Sequence, residues 1–457
     1  MSGDYVTPLD RTMAESYCHK VLDEVKHRLV DVSARGLAEA IGRAVGDGAL
    51  TPGARLPPVR KVAVALQMSP TTVSAAWQLL RRSGTIRTDG RRGTIVAEDR
   101  LSGPGRYRAA LRGRSGFPLD LSTGVPDASL LPLLPPLAGL SPAPTSYLDE
   151  PVLPALAALL RQSWPYPPER LAIFDGAMDA IDHVASALLR LGDRAVVENP
   201  CFPPLLDLLE ALGVQVIGAG TDEQGMRPDE LSAALAHRPT AVFLQPRAHN
   251  PTGASWSGSR AASLAAVLAQ TPQVYAVEDD SAGEVSSAEL FSLGSHLPRQ
   301  TIHVRSFSKS HGPDLRLAAV GAPAAVLDPI LERRLLGQGW TSRLLQHLLL
   351  ALLTDPASIA AVEHARTTYA ARRRAVASAL SLPPGDGLNL WLPVADEQAA
   401  LISLASAGIA AAAGAAFTVG PGSPHLRVTV GLIAADHAAV AARLAEAARA
   451  PAQAVPR

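Results

Sequence analysis

Lys309 lies in a stretch of the chain, residues 306–316 (SFSKSHGPDLR), that combines an amine with hydroxyl groups and a guanidinium. An amine condenses with an aldehyde to form a Schiff base, and hydroxyls with a guanidinium bind phosphate. Lys309 could therefore hold a phosphorylated aldehyde covalently while Ser306, Ser308 and Arg316 bind its phosphate. A solvated basic turn has the same composition, and this stretch alone favours that simpler interpretation.

A small-residue turn earlier in the chain offers a second anion site. Residues 175–180 (DGAMDA) follow the hydrophobic run 171–174 and precede an apolar helical stretch. Backbone N–H groups at a helix N-terminus point towards a bound phosphate, so Gly176, Ala177 and Met178 are candidates for its ligands. Any turn between a strand and a helix has this appearance, so the motif by itself is weak.

Three further motifs carry polar or aromatic groups. Residues 198–203 (ENPCFP) contain Phe202, residues 249–253 (HNPTG) contain Asn250, and residues 277–280 (VEDD) contain Asp279. Asp279 is placed at the end of a predicted strand, where ligands bind in open α/β sheets. A core phenylalanine is the simpler interpretation of Phe202, whereas a mere turn does not require an asparagine before Pro251.

Hydrophobic patterning predicts the strands and helices that position these groups. Beyond Pro118, short runs of aliphatic and β-branched residues at 194–197, 240–244 and 275–278 alternate with helical stretches rich in alanine and leucine. Such alternation predicts an α/β domain with a mostly parallel sheet.

Length and composition set limits on the class of protein. A chain of 457 residues is too long for one ordinary core, so two domains are predicted. Its two cysteines, Cys18 and Cys201, exclude a disulfide scaffold and a cysteine-rich zinc site, and no metal site is predicted. No apolar run is long enough to cross a bilayer and the N-terminus lacks an apolar signal core, so a cytoplasmic protein without membrane contact is expected.

Charge is unevenly distributed along a chain whose formal net charge is zero. Residues 33–96 contain 10 Lys+Arg against 3 Asp+Glu, which is +7, and the remainder must carry −7. This asymmetry indicates an anionic partner for the N-terminal part alone.

The basic segment predicts a compact α+β module. Leu37, Ile41 and Val45 repeat at helical spacing, a short second helix is predicted over 59–66, and a third begins at Pro70 with Ser69 as its N-cap. Two short strands, 85–88 and 93–96, follow around a turn. The order is helix, turn, helix and a basic wing.

These elements and their motifs resemble the winged helix-turn-helix of the GntR regulator family. The matching motifs are PGARLP at 52–57, VRK at 59–61, SPTTV at 69–73 and GTIV at 93–96. The resemblance implies contacts with double-stranded DNA, because hydroxyls and free N–H groups at a helix N-terminus bind phosphate. The implied contacts are Arg55, Arg60, Ser69, Thr71, Thr72, Gly93 and Thr94.

Three features of this module leave alternatives open. Thr71 and Thr72 also suit simple helix capping, and Arg91 and Arg92 are as well explained by a solvated hairpin tip as by DNA contact. Many relatives have arginine where Pro70 stands, so this chain lacks one possible base-reading side chain.

The second part of the chain resembles the fold-type I, class I/II aminotransferases, which bind pyridoxal 5'-phosphate (PLP). A GntR-type module before such a domain is the architecture of MocR regulators, and the resemblance runs from Ser33 to the C-terminus. It implies a multidomain chain with a DNA-binding module (33–97) and an α/β PLP-dependent transferase domain (118–457). Between them, residues 98–117 are rich in glycine, arginine and serine without a sustained apolar period, which predicts a linker, and residues 1–32 are an N-terminal extension.

The resemblance also implies a role for each motif. Lys309 would form the internal aldimine, with Gly176, Ala177, Met178, Ser306, Ser308 and Arg316 around the phosphate. Phe202 would stack on the pyridine ring, Asn250 would bind its 3-oxygen, and Asp279 would keep its nitrogen protonated. Arg427, on a predicted strand at 425–430, would bind an α-carboxylate bidentately. Tyr147 would reach the phosphate of the neighbouring subunit.

Two departures from the aminotransferase pattern bear on activity. Ser281 stands where relatives commonly have a tyrosine whose phenol helps to hold the 3-oxygen, so transamination should be slow. Val152 stands where relatives often have glycine, which weakens the match around Tyr147.

Three functions are compatible with these features. The first is a homodimeric, PLP-dependent transcriptional regulator in which an amine or amino-acid effector exchanges at the Lys309 aldimine. The second is an active aminotransferase with an appended DNA-binding module. The third, a regulator with a vestigial PLP site, is disfavoured because Asn250, Asp279, Lys309, Arg316 and Arg427 are all present.

Overall fold

The structure is a computed structural model that describes residues 8–46, 49–51, 53–82, 86–89, 93–96, 117–135 and 149–450. Tyr147, Arg91, Arg92 and most of the predicted linker lie outside the described residues. The chain divides into two compact units. One is Met1–Gly105 with Leu189–Asp193 and Asp207–Gln215, and the other is Arg106–Leu188, Arg194–Leu206 and Val216–Arg457.

The helices and strands predicted for the DNA-binding module are present. Ser69 Oγ accepts a hydrogen bond from the backbone N–H of Thr72 at 3.0 Å, which caps the third predicted helix. The elements are α1 (Pro8–Arg28), α2 (Ala34–Gly46), α3 (Val59–Ala65), α4 (Pro70–Arg82), β1 (Ile86–Asp89) and β2 (Gly93–Val96).

The predicted N-terminal extension contains a helix that shares the core of this module. Val21 and Val25 of α1 are buried in the same hydrophobic cluster as Leu37 and Ile41 of α2. Strands β1 and β2 pair antiparallel, and the backbone N–H of Leu56 donates to Thr94 O at 2.8 Å. The turn before α3 is thereby joined to the wing.

An eight-stranded sheet forms the centre of the larger unit. Its strand order is β4-β11-β10-β9-β8-β5-β6-β7. The central pairs β10/β9, β9/β8 and β8/β5 are parallel, as predicted, whereas β11 runs antiparallel to both of its neighbours. The strands are β4 (Arg170–Phe174), β5 (Arg194–Asn199), β6 (Gln215–Asp222), β7 (Gly225–Met226), β8 (Ala241–Leu244), β9 (Tyr275–Asp280), β10 (Thr301–Ser306) and β11 (Ala318–Ala322).

Helices with apolar faces accompany the sheets of the larger unit. All four residues of β8 and all six of β10 are buried, as expected for parallel strands covered on both sides. The helices are α5 (Pro154–Gln162), α6 (Ala177–Leu188), α7 (Pro203–Ala211), α8 (Pro228–Leu235), α9 (Gly258–Leu268), α10 (Ala324–Leu335), α11 (Arg343–Thr354), α12 (Pro356–Ala379), α13 (Glu397–Ser406) and α14 (His437–Ala448). Short 3₁₀ helices occur at Ala128–Leu130, Gly283–Val285, Leu293–Ser295, Pro313–Leu315, Gly414–Phe417 and Val430–Leu432.

Two small sheets are formed by strands of the C-terminal part of the larger unit together with β3, which comes from its N-terminal end. One has the order β12-β15-β14 and is antiparallel, and in the other β13 pairs parallel with β3. Their strands are β3 (Leu119–Asp120), β12 (Leu390–Pro393), β13 (Ile409–Ala410), β14 (Ala412–Ala413) and β15 (His425–Val428). Leu426 and Val428 are buried in one cluster with residues of α12 and α14.

The predicted strand at 425–430 was too long. β15 ends at Val428, and a 3₁₀ helix follows at Val430–Leu432. The backbone N–H of Thr429 donates to Leu121 O at 2.8 Å, and that of Gly431 donates to Leu388 O at 3.0 Å. These bonds to segments distant in sequence turn the chain out of the strand.

No single helix among the described residues is long and apolar enough to cross a membrane. Helices α11 and α12 pass that test only as a pair, by length and composition, and a bend of 74° separates them.

Candidate functional site

Lys309 lies on the loop that follows β10, beside the end of β9. The two strands are parallel, with Val304 opposite Asp279, so the segments that leave them are adjacent. Lys309 Nζ donates to the backbone oxygen of Ser281 at 3.2 Å. Burial lowers the pKa of Lys309; the charge of Asp279 opposes this shift and that of Arg427 adds to it. Lys309, Asp279 and Arg427 therefore belong to one site.

Asp279 presents one satisfied and one unsatisfied carboxylate oxygen. Its Oδ2 accepts from Gln245 Nε2 at 2.7 Å, whereas its buried Oδ1 has no hydrogen-bond partner among the described residues. Burial raises the pKa of Asp279, against the effects of the Gln245 hydrogen bond and the Lys309 charge. A buried acceptor without a donor is costly, and a protonated pyridine nitrogen would supply the missing donor. This oxygen therefore fits PLP.

Gln245 connects several groups of the site, although the sequence had not indicated it. Besides Asp279, its Nε2 contacts Ser281 Oγ at 3.3 Å, and its Oε1 accepts from the backbone N–H of Asn250 at 2.7 Å. Gln245 follows directly after β8, whose neighbour is β9. The rule that ligands bind at the carboxyl ends of parallel strands, which selected Asp279, could have selected Gln245 as well.

Asn250 is held by its turn and by a distant side chain. The backbone N–H of Gly253 donates to His249 O at 2.6 Å, and His249 Nδ1 lies 2.7 Å from Thr252 Oγ1. Asn250 Oδ1 accepts from Asn389 Nδ2 at 3.3 Å. Asn389 was not a predicted site residue, because it is separated from Asn250 by 139 positions.

A buried acid, Glu198, supports the turn that carries Asn250. Its Oε2 accepts from the backbone N–H of Gln245 at 2.8 Å and lies 3.4 Å from His249 Nε2. Burial raises the pKa of Glu198 to about 8 and lowers that of His249 to about 3. Both groups are therefore neutral near pH 7, so their contact is not an ion pair.

Phe202 and Met178 line a small cavity together with Asp279, Gln245 and His249. Phe202 is half-buried. The structure thus places Phe202 near the carboxylate to which the ring nitrogen was assigned.

Gly176 and Arg316 meet at the predicted phosphate end. Gly176 has φ +108°, and a Cβ built on it would lie 3.0 Å from Arg316 Nη2. Arg316 itself is in the left-handed region with φ 49°. Gly176 immediately precedes α6, so a guanidinium and the free N–H groups of Ala177 and Met178 flank the same turn, which suits a phosphate dianion.

The two predicted serine ligands differ in their surroundings. Ser306 is buried, and its Oγ accepts from the backbone N–H of Ser308 at 3.3 Å. Ser308 is half-buried. The Ser306 hydroxyl therefore also orders the loop that carries Lys309.

Arg427 is a buried residue of β15, and its position depends on the segment 117–135. A Cβ on Gly124, which has φ +70°, would lie 2.7 Å from Arg427 Nη1. Arg427 Nη2 donates to the backbone oxygen of Ser122, and its guanidinium carbon lies 5.2 Å from the centre of the Phe417 ring. The sequence identified Arg427 but not these contacts.

The predicted DNA contacts of the N-terminal unit are accessible. Arg55, Arg60, Ser69, Thr71 and Gly93 are exposed, and Thr72 and Thr94 are half-buried. The Ser69 hydroxyl lies 3.2 Å from Thr71 Oγ1 and 2.7 Å from Thr72 Oγ1. The hydroxyl that caps this helix is that of Ser69, which the hydroxyls of Thr71 and Thr72 contact, and DNA contact by these groups stays a prediction.

Two family models match the chain. Residues 33–96 match "Bacterial regulatory proteins, gntR family", and residues 138–444 match "Aminotransferase class I and II". The second match covers more than half of the chain.

Curated relatives share both parts. The chain is 38% identical to the vitamin B6 salvage pathway transcriptional repressor PtsJ of Salmonella typhimurium over 87% of this chain and 94% of that protein. It is 31% identical to the HTH-type pyridoxine biosynthesis transcriptional regulator PdxR of Corynebacterium glutamicum over 77% of this chain and 80% of that protein.

Solved structures share the fold of the larger unit. The α-aminoadipate aminotransferase LysN of Thermus thermophilus, complexed with N-(5'-phosphopyridoxyl)-L-leucine, is similar with a TM-score of 0.64 and 23% identity, over 75% of this chain and 94% of that one. The aspartate aminotransferase of the same organism has a TM-score of 0.62 and 22% identity, over 75% and 95%. The chain belongs to the MocR-type transcriptional regulators, in which a gntR-family regulatory module precedes a domain of the class I and II aminotransferase family.

Proposed function

We propose that the chain is a PLP-dependent, DNA-binding transcriptional regulator whose aminotransferase-like domain senses an amine or amino acid at Lys309. The observation that carries this proposal is the buried Oδ1 of Asp279, which has no hydrogen-bond partner in the described part of the chain and lies in the same site as the Lys309 amine. PLP, when bound, supplies an aldehyde with which Lys309 or an effector amine can combine reversibly.

The residues of the chain prepare this chemistry in three ways. The lowered pKa of Lys309 increases the neutral, nucleophilic fraction of its amine near pH 7. Asp279 Oδ1 would accept from the ring nitrogen, while Gln245 holds the other carboxylate oxygen. Arg427 would orient an effector carboxylate with its planar guanidinium.

Sensing is favoured over turnover by what surrounds Ser281. Its backbone oxygen accepts from Lys309 Nζ, and its Oγ contacts the Gln245 amide. A serine hydroxyl at this position is too short to replace a tyrosine phenol at the ring oxygen. Slow or absent turnover suits a sensor, because the effector then remains bound long enough to change the DNA-binding state.

A second candidate for the signal is PLP itself. The names of PtsJ and PdxR connect those regulators to vitamin B6 salvage and pyridoxine biosynthesis. If the same holds here, occupancy of the Lys309 site by PLP alone changes DNA affinity, and the amine effector is dispensable.

For effector binding to change DNA binding, the protein must have two conformations that differ in their affinities for effector and operator. We propose that two chains form a homodimer whose paired modules contact two half-sites through Arg55, Arg60, Ser69, Thr71, Thr72, Gly93 and Thr94. Arg91 and Arg92 are proposed to contact the same duplex, and Tyr147 the phosphate in the neighbouring subunit.

The test is an absorption titration of the full-length protein with PLP, alongside Lys309→Ala. We expect a band of protein-bound PLP in the wild type that borohydride fixes on Lys309, as read by peptide mass spectrometry, and no such attachment in the variant. Operator affinity is then measured with no ligand, with PLP, and with PLP plus a panel of amines and amino acids.

Three outcomes separate the candidates. A change of DNA affinity only with a particular amine supports the sensor, and a change with PLP alone supports the second candidate. Sustained conversion of an amino donor and a keto acid at ordinary enzyme rates identifies an aminotransferase instead. An unaltered ligand response in Lys309→Ala contradicts both regulatory mechanisms.

A further inference from the structure

A second cleft of about 310 Å³ lies in the larger unit, with different walls from those of the cofactor site. Its apolar lining consists mainly of aliphatic side chains from three helices. Leu159 and Leu160 come from α5, Leu352 and Leu353 from α11, and Ile359 and Val362 from α12. The volume is at the lower limit for small-molecule pockets, which are typically mostly apolar with a few placed polar groups.

Arg305 is a buried cation in the wall of this cleft. It is 3% exposed, and its Nη1 and Nη2 donate to Ser163 Oγ at 2.9 Å and Ser163 O at 2.6 Å. Its buried Nε has no hydrogen-bond partner, and none of the described carboxylates lies within 4.0 Å of the guanidinium. The guanidinium carbon also lies 4.7 Å from the centre of the Trp164 ring, a cation–π contact that leaves the charge without a described counter-ion in contact. An anionic group in the cleft would supply that counter-ion and stabilise the arrangement.

Glu284 contributes the opposite charge to the same cleft. It lies in the 3₁₀ helix Gly283–Val285, is half-buried, and forms no ion pair with any described residue. Burial lowers the pKa of Arg305, and the charges of Asp280 and Glu284 oppose that shift. Arg305 and Glu284 are thus close enough to interact through space, but too far apart to satisfy each other directly.

The other ionisable groups of the cleft are already accounted for. Glu363 and Arg366 form an ion pair with each other one helical turn apart on α12. Burial lowers the pKa of His311 to about 4, so its imidazole is neutral near pH 7. The available charges are therefore one buried cation and one half-buried anion.

We propose that this cleft binds an aliphatic α-amino acid without covalent attachment. Its α-carboxylate would pair with Arg305, its α-ammonium with Glu284, and its side chain would pack against the leucines of α5 and α11. A zwitterion with an apolar side chain matches all three features, whereas a simple anion would leave Glu284 unpaired.

The cleft shares a loop with the cofactor site. Phe307 and His311 line the cleft, and Lys309 lies between them in sequence. Ser281, whose backbone oxygen accepts from Lys309 Nζ, is three residues before Glu284. An amino acid in the cleft would contact both segments that hold Lys309, so its affinity and that of PLP should be coupled reciprocally.

The test is equilibrium dialysis of labelled L-leucine against the full-length protein free of PLP. Without PLP no covalent capture of the amine at Lys309 takes place, so this result does not depend on the proposed function. We expect saturable binding that Glu284→Gln weakens at least about tenfold, the loss of one charge pair. Glu332→Gln, on an exposed residue of α10, is the matched control and should leave binding unchanged.

Two further variants locate the bound leucine. Leu353→Phe should reduce binding by filling the cleft without altering its charge, and Arg427→Ala should leave binding intact because Arg427 belongs to the cofactor site. 4-Methylpentanoate and isoamylamine, which lack the ammonium and the carboxylate of leucine respectively, should bind more weakly. No leucine binding up to about 10 mM, or binding lost in Arg427→Ala but retained in Glu284→Gln and Leu353→Phe, overturns the proposal.

Discussion

The side-chain amide of Gln245 donates to one carboxylate oxygen of Asp279 at 2.7 Å, and the other oxygen is buried without a hydrogen-bond partner among the described residues. Gln245 also accepts from the backbone N–H of Asn250 at 2.7 Å. One residue therefore fixes both a carboxylate proposed for the ring nitrogen and an asparagine proposed for the ring oxygen.

Replacing Gln245 should weaken PLP binding. Gln245→Ala removes the hydrogen bond that lowers the pKa of Asp279, so its carboxyl is more often protonated and accepts less well from the ring nitrogen. We expect PLP affinity to fall about tenfold, near the loss of one charge-assisted hydrogen bond. Absorption titration measures this effect. Gln270→Ala, on an exposed residue, is the control, and equal affinities of the two variants would contradict the assigned role.

The rate of PLP capture should depend on pH through Lys309. Burial and the charge of Arg427 lower its pKa, so capture should remain fast below the pKa of a free lysine and decline as pH falls through the lowered value. Arg427→Ala removes a positive charge, which should raise the pKa of Lys309 and move the profile to higher pH. Stopped-flow absorbance across a pH series measures the midpoint. An identical shift in Arg299→Ala, an exposed site, would show that the charge of Arg427 is not responsible.

A methyl group at position 176 should impair phosphate binding. Gly176→Ala combines φ +108° with a Cβ 3.0 Å from Arg316 Nη2, so the turn or the arginine must move. Strain of this kind costs about 1–3 kcal/mol. PLP affinity should fall at least about tenfold, while the affinity for pyridoxal, which has no phosphate, should change much less. Gly337→Ala, where a Cβ meets no atom within 4 Å, is the control. Equal losses for both ligands would mean that the substitution disrupts the site as a whole.

Glu198 should make the larger unit less stable as pH rises. Burial raises the pKa of Glu198 to about 8 in the folded chain, whereas in the unfolded chain its pKa is near 4.3. Between about pH 4.3 and pH 8 the folded chain therefore keeps a proton on Glu198 that the unfolded chain has lost. Stability contributed by this group is present at low pH and is lost as pH rises, by at most about 1.4 kcal/mol per pH unit. Glu198→Gln mimics the neutral acid, so the thermal midpoint of the variant, relative to that of the wild type, should rise from pH 6.5 to 8. If the two midpoints change with pH in the same way over that range, Glu198 is ionised in the folded chain.

Arg60 should contribute a salt-dependent contact with DNA. It is exposed on α3, and Arg60→Ala should weaken binding to specific and unrelated duplexes alike. The slope of log affinity against log salt should fall by about one, as expected for one lost phosphate contact. Fluorescence anisotropy at several salt concentrations measures both quantities. Lys26→Ala removes an exposed charge of α1 as a control, and the same slope change there would assign the effect to net charge alone.

The amino-acid sequence by itself determined the local elements and the motifs. Helix periodicity, the Ser69 cap and the alternation of strands and helices are set by neighbours within a few residues, so the predicted winged module and α/β sheet were confirmed. Lys309, Asp279 and Arg427 were selected because each stands in a short motif with recognisable chemistry.

The tertiary structure alone decided which distant segments complete the site. Gln245 and Asp279 meet because β8 and β9 are adjacent and parallel, and Arg427 lies against Gly124 although 303 positions separate them. The end of β15 at Val428 likewise follows from hydrogen bonds to Leu121 and Leu388. Such contacts depend on strand order and packing between elements, which no local spacing encodes, and the cleft between α5, α11 and α12 has the same origin.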